Sequence, residues 1–157
     1  MHIPDAEYRL ILNSIPILCV DVLIVHDGKC LLLKRDNEPA KGEFWFPGGR
    51  VRKNESIQNT ALRKAKEETN LDCEYVKIIS VEETIFSKTA TMHSDVHTVN
   101  ICCHLIPVDI GSLKLDKHHN DYKWVSEQHS SYHLAINHPL SLMGFNKNTV
   151  SDQDIKS

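Results

Sequence analysis

The alternation of apolar and polar positions along the chain predicts a mixed α/β fold. Segments with helical periodicity predict helices at 5–13, 56–69 and 132–143. Runs rich in β-branched and aromatic residues predict strands at 17–25, 29–34, 44–46, 75–83, 98–106 and 122–125. We therefore expect a mixed β-sheet sandwiched between α-helices. Residues 1–145 are expected to form one domain, and residues 146–157 a polar, disordered tail.

Two smaller patterns predict which side chains are buried. Ile57, Ala61 and Ala65 recur every four residues along the second helix, which predicts one buried stripe. Cys102 and Cys103 are neighbours on a strand, so their side chains are expected on opposite faces of the sheet. We expect one of these two cysteines to lie in the core.

Composition narrows the class of protein. The 157 residues are 41% hydrophobic and 25% charged, which is typical of one globular domain. A net charge of -3 gives no general attraction to nucleic acid or to an anionic membrane. The first residues lack the pattern of a signal peptide, and no segment has the apolar length of a membrane helix. Five cysteines without a C-x-x-C pair suit reduced thiols, so we expect a cytoplasmic protein.

An adjacent pair of acidic residues gives the chain its clearest chemical signal. A glycine turn at Gly48 and Gly49 leads into the second helix, which carries Glu67 and Glu68 near its end. Such an arrangement can hold a divalent metal ion against a pyrophosphate. Lys64 falls on the same helix face. The alternative is a solvated helix end in which Lys64 pairs with both acids, each pair contributing about 0.2–0.5 kcal/mol.

The spacing of these residues resembles the Nudix box, a motif of the Nudix hydrolase family. The matching positions are Gly49, Glu55, Arg63, Glu67, Glu68 and Leu71, preceded by Trp45, Pro47 and Gly48. The resemblance implies the Nudix fold and a Mg²⁺ cofactor, with Mn²⁺ as a substitute. It implies Glu68, Glu67 and the Gly49 carbonyl as metal ligands, and Glu55 with Arg63 as a buried supporting pair.

Two positions depart from the box. Asn70 stands where the family has glycine, a mild change because Asn also accepts the left-handed conformation of a helix cap. Lys64 stands where the family usually has its first helix glutamate. The second change removes a carboxylate that serves many members as a base or as a metal ligand, so an active enzyme needs a base elsewhere.

The segment before the last strand resembles a loop of the GDP-mannose mannosyl hydrolase branch of this family. That branch also lacks the helix glutamate, and its base is a loop histidine before an Asp-Tyr-basic-Trp run. His119 falls on that histidine, and His118 falls where the branch places a metal ligand, usually Gln. Imidazole titrates near neutral pH, so His119 is a competent base.

The same branch implies a set of substrate-binding residues. These are Asp21, Arg35, Arg50 and Tyr122. Arg35 and Arg50 can neutralise a diphosphate with forked hydrogen bonds and so also assist the departure of the nucleotide. Asp21 is a carboxylate in an apolar strand, where an unpaired charge is costly. It either binds a base or sugar hydroxyl of the ligand or faces water from an edge strand.

The resemblance implies hydrolysis of a nucleoside diphosphate sugar, GDP-mannose or GDP-glucose, by water attack at the sugar carbon. Two alternatives stay open. One is ordinary Nudix cleavage at phosphorus with Glu67 or Glu68 as base. The other is a non-catalytic nucleotide-binding module in which Lys64 displaces the metal. The branch also suggests a homodimer, and from the net charge we expect neither nucleic acid nor a membrane as partner.

Overall fold

The computed structural model describes residues 2–147, and the elements in this range match the predicted order. The helices are α1 Asp5–Ser14, α2 Ile57–Thr69 and α3 Leu134–Leu142, with a 3-10 turn at Ile110–Ser112. The strands are β1 Ile17–His26, β2 Lys29–Arg35, β3 Phe44–Trp45, β4 Gly48–Arg50, β5 Cys73–Phe86, β6 Val96–Pro107 and β7 His119–Val125. The predicted mixed fold of sheet and helices is therefore confirmed. The 3-10 turn was not predicted, and neither was β4, because its two glycines have low strand propensity.

Strand β1 lies at the centre of a seven-stranded mixed sheet. The main order is β3-β2-β1-β6-β5, while β4 also pairs with β1 and β7 with β2. Strands β1 and β6 run parallel, and the other pairs are antiparallel. Along its second edge β1 pairs first with β4, from Cys19 to Asp21, and then with β2, at Val25 and His26. This change of partner brings the glycine turn of β4 against Asp21.

The core forms two clusters on opposite faces of the sheet. One cluster contains Leu23, Leu32, Cys102 and the α3 residues Ala135, Ile136 and Leu140. The other contains Val22, Leu31, Cys103 and the α2 residues Ala61 and Ala65, with the partly buried Ile57 beside them. The predicted α2 stripe is therefore confirmed, and each fully buried Leu or Ile contributes about 1.5–3 kcal/mol.

The expectation that one of the two neighbouring cysteines lies in the core is wrong. Both Cys102 and Cys103 are fully buried, one in each cluster. They do face opposite sides of the strand, but helices cover both sides of the sheet, so each side is a core. Burial raises the pKa of the Cys103 thiol to about 11.

The C-terminal part differs in detail from the prediction. Helix α3 begins at Leu134, because His133 is its N-cap and accepts a hydrogen bond from the Ala135 N–H at 3.0 Å. Of the predicted tail, Asn146 and Lys147 pair with Gln128 through a backbone hydrogen bond and a bridge. The other tail positions, 148–157, lie outside the described residues, so the tail stays a prediction.

None of the helices within residues 2–147 is both long enough and apolar enough to cross a membrane. The cytoplasmic location and the homodimer stay predictions.

Candidate active site

Caps at both ends set the length of α2 and so the position of its acidic pair. The Ser56 hydroxyl accepts a hydrogen bond from the Asn59 N–H at 3.0 Å. At the other end Asn70 is left-handed, with φ 59°, and its N–H donates to the Lys66 carbonyl. Asn70 therefore takes the conformation that the family glycine provides, as predicted. The helix ends just after Glu67 and Glu68.

Glu55 and Arg63 join the loop before α2 to the helix itself. The Arg63 guanidinium donates from Nε and Nη2 to the two Glu55 oxygens at 2.7 and 2.8 Å. The Arg63 Nη2 also donates to the Arg50 carbonyl at 3.1 Å. These hydrogen bonds from Arg63 lower the pKa of Glu55 to about 2. The forked pair holds the backbone of Arg50 against the helix that carries the acidic pair.

Glu68 is a buried carboxylate with few partners. It is 4% exposed, and its two oxygens share the Gly48 N–H at 3.2 and 3.3 Å. Burial raises the pKa of Glu68, while the ammonium of Lys64, at 3.5 Å, acts against that rise. A charge removed from water needs compensation from a cation or from several hydrogen bonds. Glu68 therefore lies where a cation is favoured.

Glu67 lies beside it at the rim of the site. Its carboxylate accepts hydrogen bonds from Lys64 Nζ and from Arg63 Nη1, both at 3.1 Å. Partial burial acts to raise the pKa of Glu67, but these hydrogen bonds outweigh it and lower the pKa. Glu67 is therefore ionised near neutral pH, and the basic side chains of Lys64 and Arg63 contact it.

His119 lies next to Glu68, on the buried side of β7. Its Nδ1 is 2.6 Å from an Asp116 oxygen, and its Nε2 is 3.7 Å from a Glu68 oxygen. The Asp116 N–H also donates to the Glu68 carbonyl at 3.2 Å, which ties this loop to the end of α2. We assign the proton of the neutral ring to Nδ1, donated to Asp116, so Nε2 keeps its lone pair toward the acidic pair.

His118 is not brought to the acidic pair. Its ring accepts a hydrogen bond from the Asn37 amide at 2.7 Å and is exposed. Its backbone carbonyl accepts the Asp36 N–H, so it is held on the loop after β2. His118 lies in the turn just before β7, and of these two neighbouring histidines only His119 is buried against Glu68. The metal-ligand role of His118 stays a prediction.

Three of the predicted substrate-binding residues line one cavity of about 330 Å³. They are Asp21, Arg35 and Arg50, and Tyr8, Trp45 and Phe86 supply aromatic walls. Arg35 Nε donates to the Pro39 carbonyl at 2.8 Å, and the Arg50 guanidinium lies 4.6 Å from the centre of the Tyr8 ring. Both guanidinium groups are thus positioned by uncharged partners, a backbone carbonyl and an aromatic ring. The volume lies at the lower end of small-molecule sites.

Asp21 begins a chain of polar side chains in this cavity. Its carboxylate accepts a hydrogen bond from the Asn100 amide at 3.1 Å. Asn100 in turn accepts one from Thr98, whose hydroxyl is 2.6 Å from that of Thr84. A Cβ on Gly48 would lie 2.6 Å from the Asp21 carboxylate and clash with the Val20 carbonyl. At 4% exposure on a central strand, Asp21 does not face water from an edge.

The buried Asp21 carboxyl makes the free energy of unfolding depend on pH. Burial raises the pKa of Asp21 to about 7, although the Asn100 hydrogen bond opposes this. The folded protein then holds the proton more tightly than the unfolded chain does. The contribution of Asp21 to the free energy of unfolding is therefore greatest at low pH and is lost as pH rises toward 7.

We expect Asp21→Asn to remove this dependence of stability on pH. Urea unfolding measures this effect. Between pH 5 and pH 8 the free energy of unfolding of the wild type should fall by about 2–3 kcal/mol more than that of the variant. Equal losses would contradict this role of Asp21.

Tyr122 does not join the other predicted substrate residues. It lies on β7 opposite Leu33, is 45% exposed, and is not among the residues that line the cavity. The sequence reasoning missed Asp116 and Asn100. Asp116 stands three residues before His119, and Asn100 is a polar residue in an apolar strand, the same signal that singled out Asp21.

The oxygen donors near the acidic pair suit a hard divalent cation. Within residues 2–147, no three His, Cys, Asp or Glu side chains converge as a metal cluster. The predicted metal ligands are instead two carboxylates, those of Glu67 and Glu68, and the backbone carbonyl of Gly49. Mg²⁺ accepts such a set, because it keeps several waters and takes phosphate oxygens from its ligand. The residues fit the ion, provided that the Lys64 ammonium moves from the acidic pair.

The chain is similar to known proteins both in sequence and in three-dimensional structure. Residues 16–139 match the NUDIX domain. The low-salt glycan biosynthesis protein Agl8 of Haloferax volcanii is 30% identical over 142 residues, which cover 90% of this chain and 91% of that protein. The MutT NUDIX hydrolase of Burkholderia pseudomallei is 21% identical, with a TM-score of 0.64 over 82% of this chain and 98% of that one. The NUDIX domain of Shewanella oneidensis NrtR, solved with ADP ribose, is 26% identical, with a TM-score of 0.54 over 78% and 82%.

Proposed function

The chain belongs to the NUDIX domain family, and we propose that it hydrolyses a nucleoside diphosphate sugar at the sugar carbon. The predicted substrates are GDP-mannose and GDP-glucose, and the products are GDP and the free sugar. The observation that carries the proposal is the His119–Asp116 pair, which lies beside Glu68 of α2. In that helix Lys64 stands where the family usually has its first glutamate. The name of the Haloferax volcanii relative, a glycan biosynthesis protein, supports a sugar-containing substrate.

His119 is the proposed general base. Lys64 is held by both acids and has no carboxylate with which to accept a proton. Asp116 fixes the ring of His119 and leaves Nε2 free to take a proton from water. The water oxygen then bonds to the anomeric carbon. The bond from that carbon to the phosphate oxygen breaks, and its electron pair leaves with GDP.

Positive charge at the cavity stabilises the departing diphosphate. Arg35 and Arg50 line the cavity and can neutralise phosphate oxygens with forked hydrogen bonds. Glu67, Glu68 and the Gly49 carbonyl are the proposed ligands of Mg²⁺ or Mn²⁺, which when bound supplies further positive charge against the diphosphate.

Asp21 and the aromatic walls are the proposed site for the nucleobase. A buried carboxylate accepts hydrogen bonds, and guanine offers two neighbouring N–H donors on its Watson–Crick edge. Trp45 and Phe86, whose rings are 5.7 Å apart, give apolar surface for a flat ring. Asn100 holds the Asp21 carboxylate in position for such contacts. A guanosine nucleotide therefore suits this end of the cavity.

One observation favours a second candidate, which is cleavage at phosphorus. The His119 side chain is only 5% exposed, and its Nε2 faces Glu68 rather than the cavity. If water reaches the diphosphate but not His119, Glu67 or Glu68 becomes the base. A third candidate, the non-catalytic nucleotide-binding module, draws its support from the contacts of Lys64 with both acids.

Hydrolysis in H₂¹⁸O separates these candidates. Attack at carbon should place the label on the released sugar and leave GDP unlabelled. A single displacement by water should also invert the anomeric configuration, because water enters opposite the departing diphosphate. Mass spectrometry of the products and NMR of the fresh sugar measure both results.

Two outcomes would contradict attack at carbon. Label in a nucleoside monophosphate or in a sugar phosphate would establish attack at phosphorus. Absence of any product from a panel of nucleotide sugars with Mg²⁺, together with tight binding of GDP, would favour the non-catalytic module.

A further inference from the structure

Lys64 is built into the site rather than left in solvent. Its side chain is 18% exposed, and its stem lies across the glycine turn. A Cβ added to Gly49 would lie 2.7 Å from Lys64 Cε and 3.1 Å from both Cδ and Nζ. Only a glycine at position 49 leaves room for the lysine in this conformation. The glycine turn therefore accommodates Lys64, which stands where the family usually has a glutamate.

The ammonium group contacts both members of the acidic pair. Lys64 Nζ is 3.1 Å from a Glu67 oxygen and 3.5 Å from a Glu68 oxygen. Helical spacing brings these residues together, since residues three and four positions apart are neighbours on one face. Because Glu68 is buried, this charge is less screened than that of a surface pair. Arg63 also contacts Glu67 at 3.1 Å, but the Lys64 ammonium contacts both proposed metal-binding carboxylates.

Lys64 also lies where two cavities meet. It lines the 330 Å³ cavity together with Asp21 and Arg50. It also lines a second cavity of about 260 Å³, together with Arg50, Arg52 and Lys53. A diphosphate near Arg50 would thus lie within reach of the lysine, because its stem has four rotatable carbons. The ammonium has an alternative partner once an anionic ligand is bound.

We propose that Lys64 is an internal counter-ion that competes with a divalent metal ion for Glu67 and Glu68. In the free protein the ammonium neutralises the acidic pair, so metal binds weakly. A nucleoside diphosphate brings new negative charge to which the ammonium turns, and this frees the two carboxylates for the metal. Metal and nucleotide binding are therefore coupled through one lysine. The proposal rests on the metal site of the proposed function but not on which bond is broken.

Titration of the protein with Mn²⁺, followed by the EPR signal of the free ion, tests the competition. Lys64→Met keeps the length of the stem and removes the charge. We expect this variant to bind Mn²⁺ on the order of tenfold more tightly than the wild type in the absence of nucleotide. Lys66→Met is the matched control, because Lys66 lies on the same helix but contacts Asp72 and the Asn70 carbonyl instead. The control should bind Mn²⁺ as the wild type does.

The same titration in the presence of GDP tests the coupling. GDP should raise the Mn²⁺ affinity of the wild type by roughly tenfold, a typical size for coupling between two ligands. Because the diphosphate itself supplies oxygen ligands to the ion, the difference between the wild type and the variant measures the coupling through Lys64, and Lys64→Gln serves as the neutral variant if Lys64→Met does not fold. In Lys64→Met the same addition of GDP should have a smaller effect. Circular dichroism of each variant establishes whether it is folded.

Each other outcome counts against the proposal in a different way. Equal Mn²⁺ affinity of folded Lys64→Met and the wild type would overturn the competition. An Mn²⁺ affinity of the wild type that is unchanged by GDP would overturn the coupling. No Mn²⁺ binding in any form of the protein would remove the metal site itself. None of these results depends on the ¹⁸O experiment, so failure of this proposal and failure of sugar hydrolysis can be told apart.

Discussion

Glu68→Gln should lower turnover of the nucleotide sugar by about 10³-fold, because a divalent ion contributes several kcal/mol to stabilising transition-state charge. The substitution keeps the shape of the side chain and one oxygen. It removes the charge of the buried carboxylate, which accepts a hydrogen bond from the Gly48 N–H and is a proposed ligand of the ion. The fold should persist, since burial already disfavours the ionised form of Glu68. Turnover with saturating Mg²⁺ and thermal unfolding measure the two effects.

Chelation gives an independent check of the same site. Activity should vanish in EDTA and return with Mg²⁺ or Mn²⁺. Glu74→Gln is the matched control, because Glu74 is an exposed residue of β5, paired with Ile106, and lines neither cavity. Its turnover should equal that of the wild type. Undiminished turnover in EDTA, or near-normal turnover of Glu68→Gln, would remove the metal from this site.

His119→Gln should lower turnover by about 10²–10⁴-fold, the usual contribution of a positioned general base. Nucleotide affinity should change little, because His119 does not line the cavity that holds Arg35 and Arg50. Steady-state kinetics should therefore show a fall in kcat with a nearly constant KM. His26→Gln, at the exposed β1–β2 hairpin, is the control and should behave as the wild type.

Asp116→Asn tests whether the carboxylate positions the ring. An amide oxygen at this position can accept a hydrogen bond from the Nδ1–H but has no charge with which to stabilise the imidazolium. We expect a smaller loss of kcat than for His119→Gln, again without a change in KM. If His119→Gln retains most of its turnover, the base lies elsewhere and cleavage at phosphorus becomes the better proposal.

Substitution of His118 separates the two neighbouring histidines. The structure places its ring on Asn37, whereas the branch resemblance predicts a metal ligand. A fall in turnover that high Mg²⁺ restores would support the ligand role, and the fall for His119→Gln should not be restored in this way.

The sequence by itself determined the parts of this protein that depend on local spacing. Helical geometry makes residues three and four positions apart neighbours, so Lys64, Glu67 and Glu68 had to share one face. The same geometry predicted the buried stripe of Ala61 and Ala65. The box spacing predicted the family, because a glycine turn and a helix of defined length follow from residues close in sequence. These relations need no knowledge of the remaining chain.

Only the tertiary structure decided which distant residues meet. His119 reaches Glu68 because β7 pairs with β2 while its preceding loop hydrogen-bonds to the end of α2. Asp21 meets Asn100 because β1 and β6 pair in parallel, a contact between residues far apart in sequence. Sheet register and the covering of both sheet faces are set by the summed packing of the whole core, and no local pattern encodes them. For this reason the sequence predicted the acidic pair and its lysine, whereas the partner of His119, the burial of Asp21 and the outward ring of His118 had to be seen in the fold.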